Sequence, residues 1–160
     1  MLDLLQSLGI QYEAHYHEPV FTCEEANLHT GHLPGCSTKN LFVRDKKGKR
    51  HILIVVDDSK TVNLNELAKL LDCSKLSMAS PERLMTHLGI APGSVSLLAL
   101  INDKQHAVEV ILDKEVSEAT LLQCHPLTNT ATLLISQNDM STFFAHTQHE
   151  PRILEIPSIG

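Results

Sequence analysis

The segment from Lys39 to Asp57, KNLFVRDKKGKRHILIVVD, constrains the fold more than any other part of the chain. Two apolar runs, LFV and ILIVV, flank the turn sequence KKGK. Apolar β-branched residues are typical of strands, and a glycine among polar residues is typical of a tight turn. The segment therefore predicts a β-hairpin.

Capping residues and apolar patterning predict the other elements. Helices are expected over residues 2–8, 23–29, 63–71, 80–89, 114–122 and 139–147. The second, third and fourth of these begin at capping signals, which are Thr22 with Glu25, Asn63 with Glu66, and Ser80-Pro81-Glu82. Strands are expected at YEAHYH, KLSMA, VSLLALIN, AVEVILD, TATLLIS and RILEI, with GHLPGCST as a loop and a second hairpin joining VSLLALIN to AVEVILD. Interleaved helices and hairpins predict one α+β domain over residues 1–160, a mixed, largely antiparallel sheet with helices packed around it.

The bulk composition excludes several classes of protein. With 42% hydrophobic residues the chain can build a core, and it has no apolar run of 18 residues to cross a membrane. The N-terminal MLDLLQSLGI reads as a helix rather than a signal peptide, so a cytoplasmic location is expected. The four cysteines contain no C-x-x-C pair, which favours reduced thiols over a disulfide scaffold.

The charge is unevenly distributed. The net charge of −6 argues against a dedicated nucleic-acid binder, yet six of the thirteen basic residues lie between 39 and 50. A local basic patch on an acidic body can hold a phosphate backbone at one place. The same DKKGKR sequence is also typical of an ordinary solvent-exposed β-turn, and from the pattern alone such a turn is favoured over a phosphate-binding patch.

Three loops, each meeting a strand, concentrate small polar groups. They contain Lys39 and Asn40, then GIAPGS at 89–94, then HPLTNTAT at 125–132. The chain has no G-x-S-x-G elbow, no Walker A sequence and no G-x-G-x-x-G. The three loops contain no carboxylate, so a two-carboxylate acid–base pair is not expected. His125 is a candidate base, although a structural histidine bonding a loop carbonyl is favoured.

The blocks GHLPGCSTKNLFVRDKKGKR, LGIAPGSVSLLALIND and HPLTNTATLLIS together resemble the bacterial YbaK and prolyl-tRNA-synthetase-associated-domain family, in particular its free-standing alanyl-tRNA(Pro) deacylases. The resemblance runs over nearly the whole chain. It implies a YbaK-like fold and an enzyme that hydrolyses the ester of a wrong amino acid on tRNA. The K-N-L-F block points to the alanyl group, with seryl, threonyl and cysteinyl esters as alternatives. Where the family often has Pro-Phe, this chain has Leu97-Leu98.

The resemblance also implies roles for individual residues. Lys39 would hold the terminal phosphate or the carbonyl side of the ester, and Asn40 the amino or ribose groups. The remaining substrate-binding residues would be Gly93 and Ser94, whose amides are candidates for the oxyanion, and His125, Asn129 and Thr130 around the amino acid. The acceptor stem would lie on Arg44, Lys46, Lys47, Lys49 and Arg50. The general base would be a ribose hydroxyl of the terminal adenosine. The partners would be mischarged tRNA(Pro) and, as a further candidate, prolyl-tRNA synthetase, with no membrane and no cofactor.

Two competing interpretations remain open from the residues. One is a non-catalytic module that binds tRNA or a synthetase. The other is a metalloprotein, because Cys23, His29, His32 and Cys36 have zinc-type side chains in the spacing C-x5-H-x2-H-x3-C. That spacing is not the spacing of a common zinc finger, so we expect no metal, with a buried thiol and solvent-facing imidazoles as the simpler explanation.

Overall fold

The computed structural model describes residues 2–16, 36–90, 95–124 and 131–159. In these ranges the helices are α1 Leu2–Ser7, α2 Leu64–Leu70, α3 Pro81–Leu88, α4 Lys114–Glu118 and α5 Gln137–Thr147, with a 3-10 helix at Leu97–Asn102. The strands are β1 Tyr12–Tyr16, β2 Cys36–Asp45, β3 His51–Asp57, β4 Leu76–Met78, β5 Val108–Asp113, β6 Leu121–Cys124, β7 Ala131–Ser136 and β8 Arg152–Leu154.

The strands form a sheet in the order β1-β7-β6-β2-β3-β5-β8, and β4 also pairs with β2. Four pairings are antiparallel, namely β1 with β7, β6 with β7, β2 with β3 and β2 with β4. The pairings of β2 with β6, β3 with β5 and β5 with β8 are parallel. The predicted α+β class with a mixed sheet is therefore confirmed.

Each face of the sheet carries its own hydrophobic core. The first core contains Phe42 and Leu53 from the hairpin, together with the 3-10 helix and residues of α1, α3 and α5. The second core contains Val43 and Ile54, together with α2 and Ile156 near the C-terminus. Because successive side chains of a strand point to opposite faces, the apolar run of β3 is buried in both cores at once.

Most of the elements that depend on local chemistry are confirmed. The hairpin pairs β2 with β3 in register from Thr38 with Asp57 to Arg44 with His51. The Asn63 side chain accepts a hydrogen bond from the Glu66 amide at 3.1 Å, which caps α2. Ser80 caps α3 in the same way, and that helix ends at Gly89 in the left-handed conformation, with φ of 65°.

The second hairpin is wrong. Leu97–Asn102 forms a 3-10 helix, which begins at the Ser96 cap and has four buried residues, and β5 pairs in parallel with β3 instead of with this segment. A short apolar run has no periodicity that separates a buried helical turn from a buried strand. Packing of this segment in the first core decides the matter here.

Two boundaries are also corrected. The helix expected over 114–122 ends at Glu118, and Leu121 begins β6, because Leu121–Cys124 pairs with β7. Residues 36–38 were expected in a loop, but β2 begins at Cys36 because Cys36 and Ser37 pair with β6. The helix predicted over 23–29 lies outside the described residues.

Candidate active site

Lys39 and Asn40 lie within β2, close to its start. Opposite them in β3 are Val56 and Val55, one from each core. Alternation along the strand therefore puts Asn40 on the face of the first core, in line with Phe42, and Lys39 on the face of the second core. The two neighbouring side chains that the sequence singles out do not point into one pocket from the same side of the sheet.

On the edge of β2 that faces away from β3, the described pairings leave residues 38–42 as a gap. On that edge β2 pairs with β6 at Cys36–Ser37 and with β4 at Val43–Asp45. Between these pairings no described strand covers residues 38–42. The Thr38 hydroxyl donates to the Gln123 carbonyl at 3.0 Å at one end of the gap, and the Ala79 amide donates to the Phe42 carbonyl at 2.9 Å at the other.

The main chain of Asn40 faces this gap. The Phe42 carbonyl points to the same edge, and main-chain groups of a strand alternate between its two edges, so the amide and carbonyl of Asn40 also point to it. The candidate site is this stretch of β2, with Lys39 and Asn40 on its two faces.

Asn40 carries an unsatisfied polar atom at this site. Its side-chain carbonyl oxygen is buried and has no hydrogen-bond partner within the described ranges. Leaving a buried acceptor unpaired costs about 1–3 kcal/mol, and an amine or hydroxyl donor would recover that free energy. The atom therefore identifies a place for a donor group of a ligand.

Lys39 is the cation of the site. Its side chain is half-buried, and in the part of the chain that the structure describes its ammonium makes no hydrogen bond or ion pair. By contrast, Lys60 is held 2.6 Å from the buried carboxylate of Asp113. The Lys39 ammonium is thus available for a phosphate or a carbonyl oxygen.

The other predicted substrate-binding residues lie outside the described residues: Gly93, Ser94, His125, Asn129 and Thr130. The residues that flank them are described. Ile90, the second residue of the GIAPGS loop, and Val95, the residue after it, pack in the first core. Cys124 packs there too, and Ala131 faces the same side because it alternates with Leu133. The ends of both loops therefore lie on the face that carries Asn40.

The hairpin turn presents its lysines to solvent. The Asp45 carboxylate accepts hydrogen bonds from the amides of Lys49 at 2.8 Å and Arg50 at 3.1 Å, and these bonds lower the pKa of Asp45, that from Arg50 most. Gly48 completes the turn with φ of 70°. Lys46, Lys47 and Lys49 are exposed, and none of the three ammonium groups pairs with a described carboxylate.

The two arginines of the hairpin are engaged inside the molecule. Arg44 donates to the carbonyls of Asp45 and Lys46. Arg50 forms two 2.7 Å bonds to Glu109 and a third to the Leu71 carbonyl, and the Glu109 bonds raise its pKa. Arg50 therefore links the hairpin to β5 and to the end of α2.

A cluster of rings and an arginine beside the hairpin was not predicted from the sequence. The side chain of His51 is buried, with 5% of the residue exposed. Its Nε2 is 2.8 Å from Nη1 of Arg83, and its ring centroid is 4.0 Å from the ring centroid of His87. Burial lowers the pKa of His51, and His87 and Arg83 add to this effect. The four-residue spacing of Arg83 and His87 on a predicted helix was the available signal, since such residues share a face.

Comparison with other proteins identifies the family. The chain is 38% identical over 154 residues to prolyl-tRNA synthetase associated domain-containing protein 1 of Danio rerio, with 95% of this chain and 83% of that protein covered. It is 36% identical over 136 residues to the prolyl-tRNA editing protein ProX of Acetoanaerobium sticklandii, with 85% and 83% covered. The aminoacyl-tRNA editing domain matches residues 17–143. The chain belongs to the aminoacyl-tRNA editing domain family.

Solved structures with the same fold are more distant in sequence. A proposed trans-editing enzyme for prolyl-tRNA synthetase superposes with a TM-score of 0.71 at 19% identity, with 98% of this chain and 92% of that chain covered. The hypothetical protein APE2540 gives a TM-score of 0.73 at 18% identity, with 95% and 96% covered. At this identity the likeness shows the fold.

Membership of the aminoacyl-tRNA editing domain family confirms the predicted class of enzyme, an aminoacyl-tRNA deacylase whose substrate is tRNA. Of the four side chains in the zinc interpretation, Cys23, His29 and His32 lie outside the described residues, as does the side chain of Cys36. None of the helices in the described ranges has the length and apolar character of a membrane-spanning segment.

Proposed function

We propose that this editing domain acts in trans on mischarged tRNA(Pro) and prefers the alanyl ester. The observation that carries the proposal is the buried carbonyl oxygen of Asn40, which has no hydrogen-bond partner among the described residues; Lys39, on the other face of the same strand, likewise has none there. An aminoacyl ester offers an α-amino group and ribose hydroxyls as donors, and a phosphate and a carbonyl as acceptors. These groups match the two side chains in kind.

In this proposal the protein binds and orients the ester. Asn40 accepts a hydrogen bond from the α-amino group or a ribose hydroxyl, which places the carbonyl carbon at the gap. Lys39 holds the terminal phosphate or the carbonyl side of the ester. Positioning the ester and one water lowers the activation free energy by several kcal/mol, so the reaction can proceed without a nucleophile from the protein.

The two loops that end on the Asn40 face complete the proposed site. Main-chain amides of Gly93 and Ser94 would stabilise the oxyanion, an effect of roughly 2.7–4 kcal/mol in other hydrolases. His125, Asn129 and Thr130 would line the amino-acid pocket. A ribose hydroxyl of the terminal adenosine would act as the base that activates water.

The hairpin is the proposed contact for the acceptor stem. Its exposed turn carries three lysines, Lys46, Lys47 and Lys49, and Arg44 lies in β2 directly before the turn. Arg50 already binds Glu109 and the Leu71 carbonyl, so we assign it to holding the hairpin in place rather than to tRNA. The names of the relatives, which contain prolyl-tRNA editing and prolyl-tRNA synthetase, support tRNA(Pro) as the substrate and a prolyl-tRNA synthetase as a partner.

A panel of Ala-, Ser-, Cys- and Pro-tRNA(Pro) substrates tests the proposal. We expect the highest kcat/KM on the alanyl ester and very little hydrolysis of the prolyl ester, because a pocket shaped for a methyl group excludes a pyrrolidine ring by overlap. Equal rates on alanyl and prolyl esters would contradict the size exclusion. Higher rates on seryl or cysteinyl esters would change the assigned amino acid.

Variants of the gap test the site itself. Lys39→Ala should nearly abolish hydrolysis without changing the free energy of unfolding, because a lysine with no partner contributes little stability. The matched control is Lys104→Ala, an exposed lysine outside the site. Wild-type turnover by Lys39→Ala would show that the site is elsewhere. Binding of mischarged tRNA without hydrolysis by the wild-type protein would favour a non-catalytic module.

A further inference from the structure

Arg83 of α3 contacts the turn of the hairpin as well as the ring of His51. Its Nη1 donates to the Gly48 carbonyl at 3.3 Å and lies 2.8 Å from Nε2 of His51. A guanidinium group has donors only, so Nε2 of His51 is the acceptor of this bond and the ring is neutral, with its proton on Nδ1. One guanidinium group thus joins the turn to the first residue of β3.

The His51 end of this link is fixed by packing. The ring of His51 stacks on Phe42 of the first core, with the ring centroids 5.8 Å apart. On α3, His87 follows Arg83 by one helical turn, and its ring centroid lies 4.0 Å from that of His51. Because α3 is itself buried in the first core, Arg83 is held at its helix and at His51 and presents its guanidinium to Gly48.

The turn packs closely against the guanidinium group. A Cβ atom added at Gly48 would lie 2.8 Å from Nη2 of Arg83, so any other residue at this position would push the guanidinium away. Glycine thus allows the approach of Arg83 in addition to the left-handed φ of 70°. The position of the turn and the position of Arg83 depend on each other.

The hairpin is held from both faces of the sheet. Arg50 extends to the face of the second core, where it donates to the Leu71 carbonyl at the end of α2. His51, the next residue, lies on the face of the first core, and Arg83 contacts the turn from that face. The turn between these two anchors carries the three exposed lysines, Lys46, Lys47 and Lys49.

Building on the proposed function, in which these lysines contact the acceptor stem, we propose that Arg83 is a positioning residue: it docks the turn on α3 and so fixes how the three lysines face the tRNA. Arg83 acts through the lysines and does not itself touch the RNA. A turn that is already docked loses less conformational freedom when the lysines bind phosphates, which favours binding. The link to His51 exists only while that ring is neutral, because a protonated ring has no acceptor and repels the guanidinium.

The surroundings of His51 keep the ring neutral. Four titratable or charged groups face it, namely Arg44 and Asp45 from β2 and Arg83 and His87 from α3. Burial lowers the pKa of His51 most, and every one of the four groups except Asp45 lowers it further. In β5 its register partner is the apolar Val108. The docked turn is therefore the state expected at neutral pH.

Amide hydrogen exchange measured by NMR tests the docking without tRNA. The amides of Asp45 and Gly48 donate to carbonyls within the hairpin, at 3.1 and 3.0 Å, and they exchange when the turn opens. Arg83→Leu should raise both exchange rates about tenfold, as expected for the loss of a hydrogen bond from a charged group. Arg83→Lys, which keeps a charged donor, should give rates between those of wild type and Arg83→Leu.

Two comparisons make the exchange result decisive. Arg152→Leu removes an exposed arginine on β8 and should leave the rates of both turn amides unchanged. The amide of Leu53, which lies in the core part of β3, should also exchange at the wild-type rate in Arg83→Leu, which separates local opening from global unfolding. Wild-type exchange of the turn amides in Arg83→Leu would overturn the proposal.

The pH dependence of exchange tests the link to His51. In His51→Gln a side-chain carbonyl can take the place of Nε2, and it binds no proton. The exchange rate of the Gly48 amide in wild type, divided by its rate in His51→Gln, should rise as the pH falls from 7.5 to 4.5. Taking this ratio removes the pH dependence of the chemical exchange itself. A ratio that stays constant would overturn the requirement for a neutral His51.

Kinetics on alanylated tRNA(Pro) show whether the lysines transmit the effect. Arg83→Leu should raise KM several-fold, while kcat stays within about twofold of the wild-type value. In a protein that already carries Lys46→Ala, Lys47→Ala and Lys49→Ala, Arg83→Leu should not raise KM further, because residues that act as one unit are not additive. A further rise in that background would show direct contact of Arg83 with RNA and overturn the positioning role. Faster exchange of the turn with an unchanged KM would contradict only the lysine contact in the proposed function.

Discussion

Asn40 illustrates, at the scale of the residue, how a functional group can oppose stability. Its buried carbonyl oxygen has no partner in the part of the chain that the structure describes, which costs the fold part of its stability. Functional sites commonly retain such groups because the ligand satisfies them. The deletion of this side chain should therefore separate stability from activity.

Asn40→Val is the variant that tests this separation. Valine suits a strand and faces Val55 in the neighbouring strand, so we expect the free energy of unfolding to rise by about 1 kcal/mol while kcat/KM on the mischarged tRNA falls at least a hundredfold. Urea unfolding and deacylation of the same preparation measure the two effects. A less stable variant with unchanged activity would contradict the role of Asn40.

His51 should make stability depend on pH. Its pKa is lowered by burial and by the neighbouring His87 and Arg83, so the folded protein favours the neutral ring. Above about pH 6.5 the ring is neutral in both the folded and the unfolded protein, and its contribution to the free energy of unfolding is fully present. Below that pH the unfolded chain binds a proton that the folded protein does not bind, so this contribution is lost as the pH falls through the lower pKa of the folded state. Urea unfolding at pH 7.5 and 5.5 should show a larger loss for wild type than for His51→Gln. Equal losses would rule out this contribution.

At the scale of the element, the hairpin carries two groups of predicted site residues. Its β2 strand forms one wall of the gap at Asn40, and its tip carries lysines that have no described acidic partner. The turn itself is held by Asp45 and Gly48, independently of those lysines. The lysines can therefore be removed without unfolding the element that presents them.

Changing Lys46, Lys47 and Lys49 together to alanine should weaken tRNA binding and its dependence on salt. Each lost phosphate contact lowers the slope of log Kobs against log salt by roughly 0.7–0.9. Filter binding between 50 and 200 mM salt measures the slope, and the Lys104→Ala variant is the control. A slope equal to that of wild type would show that the turn is merely solvated.

Replacing Arg50 should lower stability and leave tRNA binding unchanged, the opposite of the result expected for the three lysines. Its pair with Glu109 is partly exposed, so the pair contributes at most about 1 kcal/mol, and the bond to the Leu71 carbonyl adds about 0.5–1.5 kcal/mol. We expect Arg50→Ala to lower the free energy of unfolding by about 1–2 kcal/mol and to leave the salt slope of tRNA binding unchanged. A lower slope at unchanged stability would place Arg50 in contact with tRNA.

At the scale of the whole molecule, the sheet brings together groups that are far apart in the chain. Leu133 of β7 pairs with both Ala14 of β1 and Cys124 of β6, and the pairing of Ser37 with Gln123 brings the start of β2 to the same level. The proposed mechanism needs only such positioning and the hydroxyl of the substrate itself. It should therefore proceed without a metal ion.

Deacylation should thus survive dialysis against EDTA, with kcat/KM within about twofold of the untreated enzyme. The RNA must be refolded in identical buffer in both arms, so that only the protein differs. Loss of activity that zinc restores would revive the cluster of Cys23, His29, His32 and Cys36 as a metal site.

Features that depend on neighbours along the chain can be read from the sequence. The hairpin, the caps at Asn63 and Ser80, and the end of α3 at Gly89 follow from turn and capping chemistry, which acts over a few residues. The motif blocks also sufficed to predict the family, whereas the roles of Lys39 and Asn40 stay predictions and the sequence cannot say where these side chains point.

Features that depend on strand pairing are set by long-range contacts. The parallel insertion of β5, the helical turn at Leu97–Asn102 and the gap between β6 and β4 have no local signal, because the alternatives bury similar apolar area. The same pairing sets Lys39 and Asn40 on opposite faces and occupies Arg50 with Glu109. Chain neighbours thus determine which residues are present at the gap, and long-range registers determine what each of them can reach.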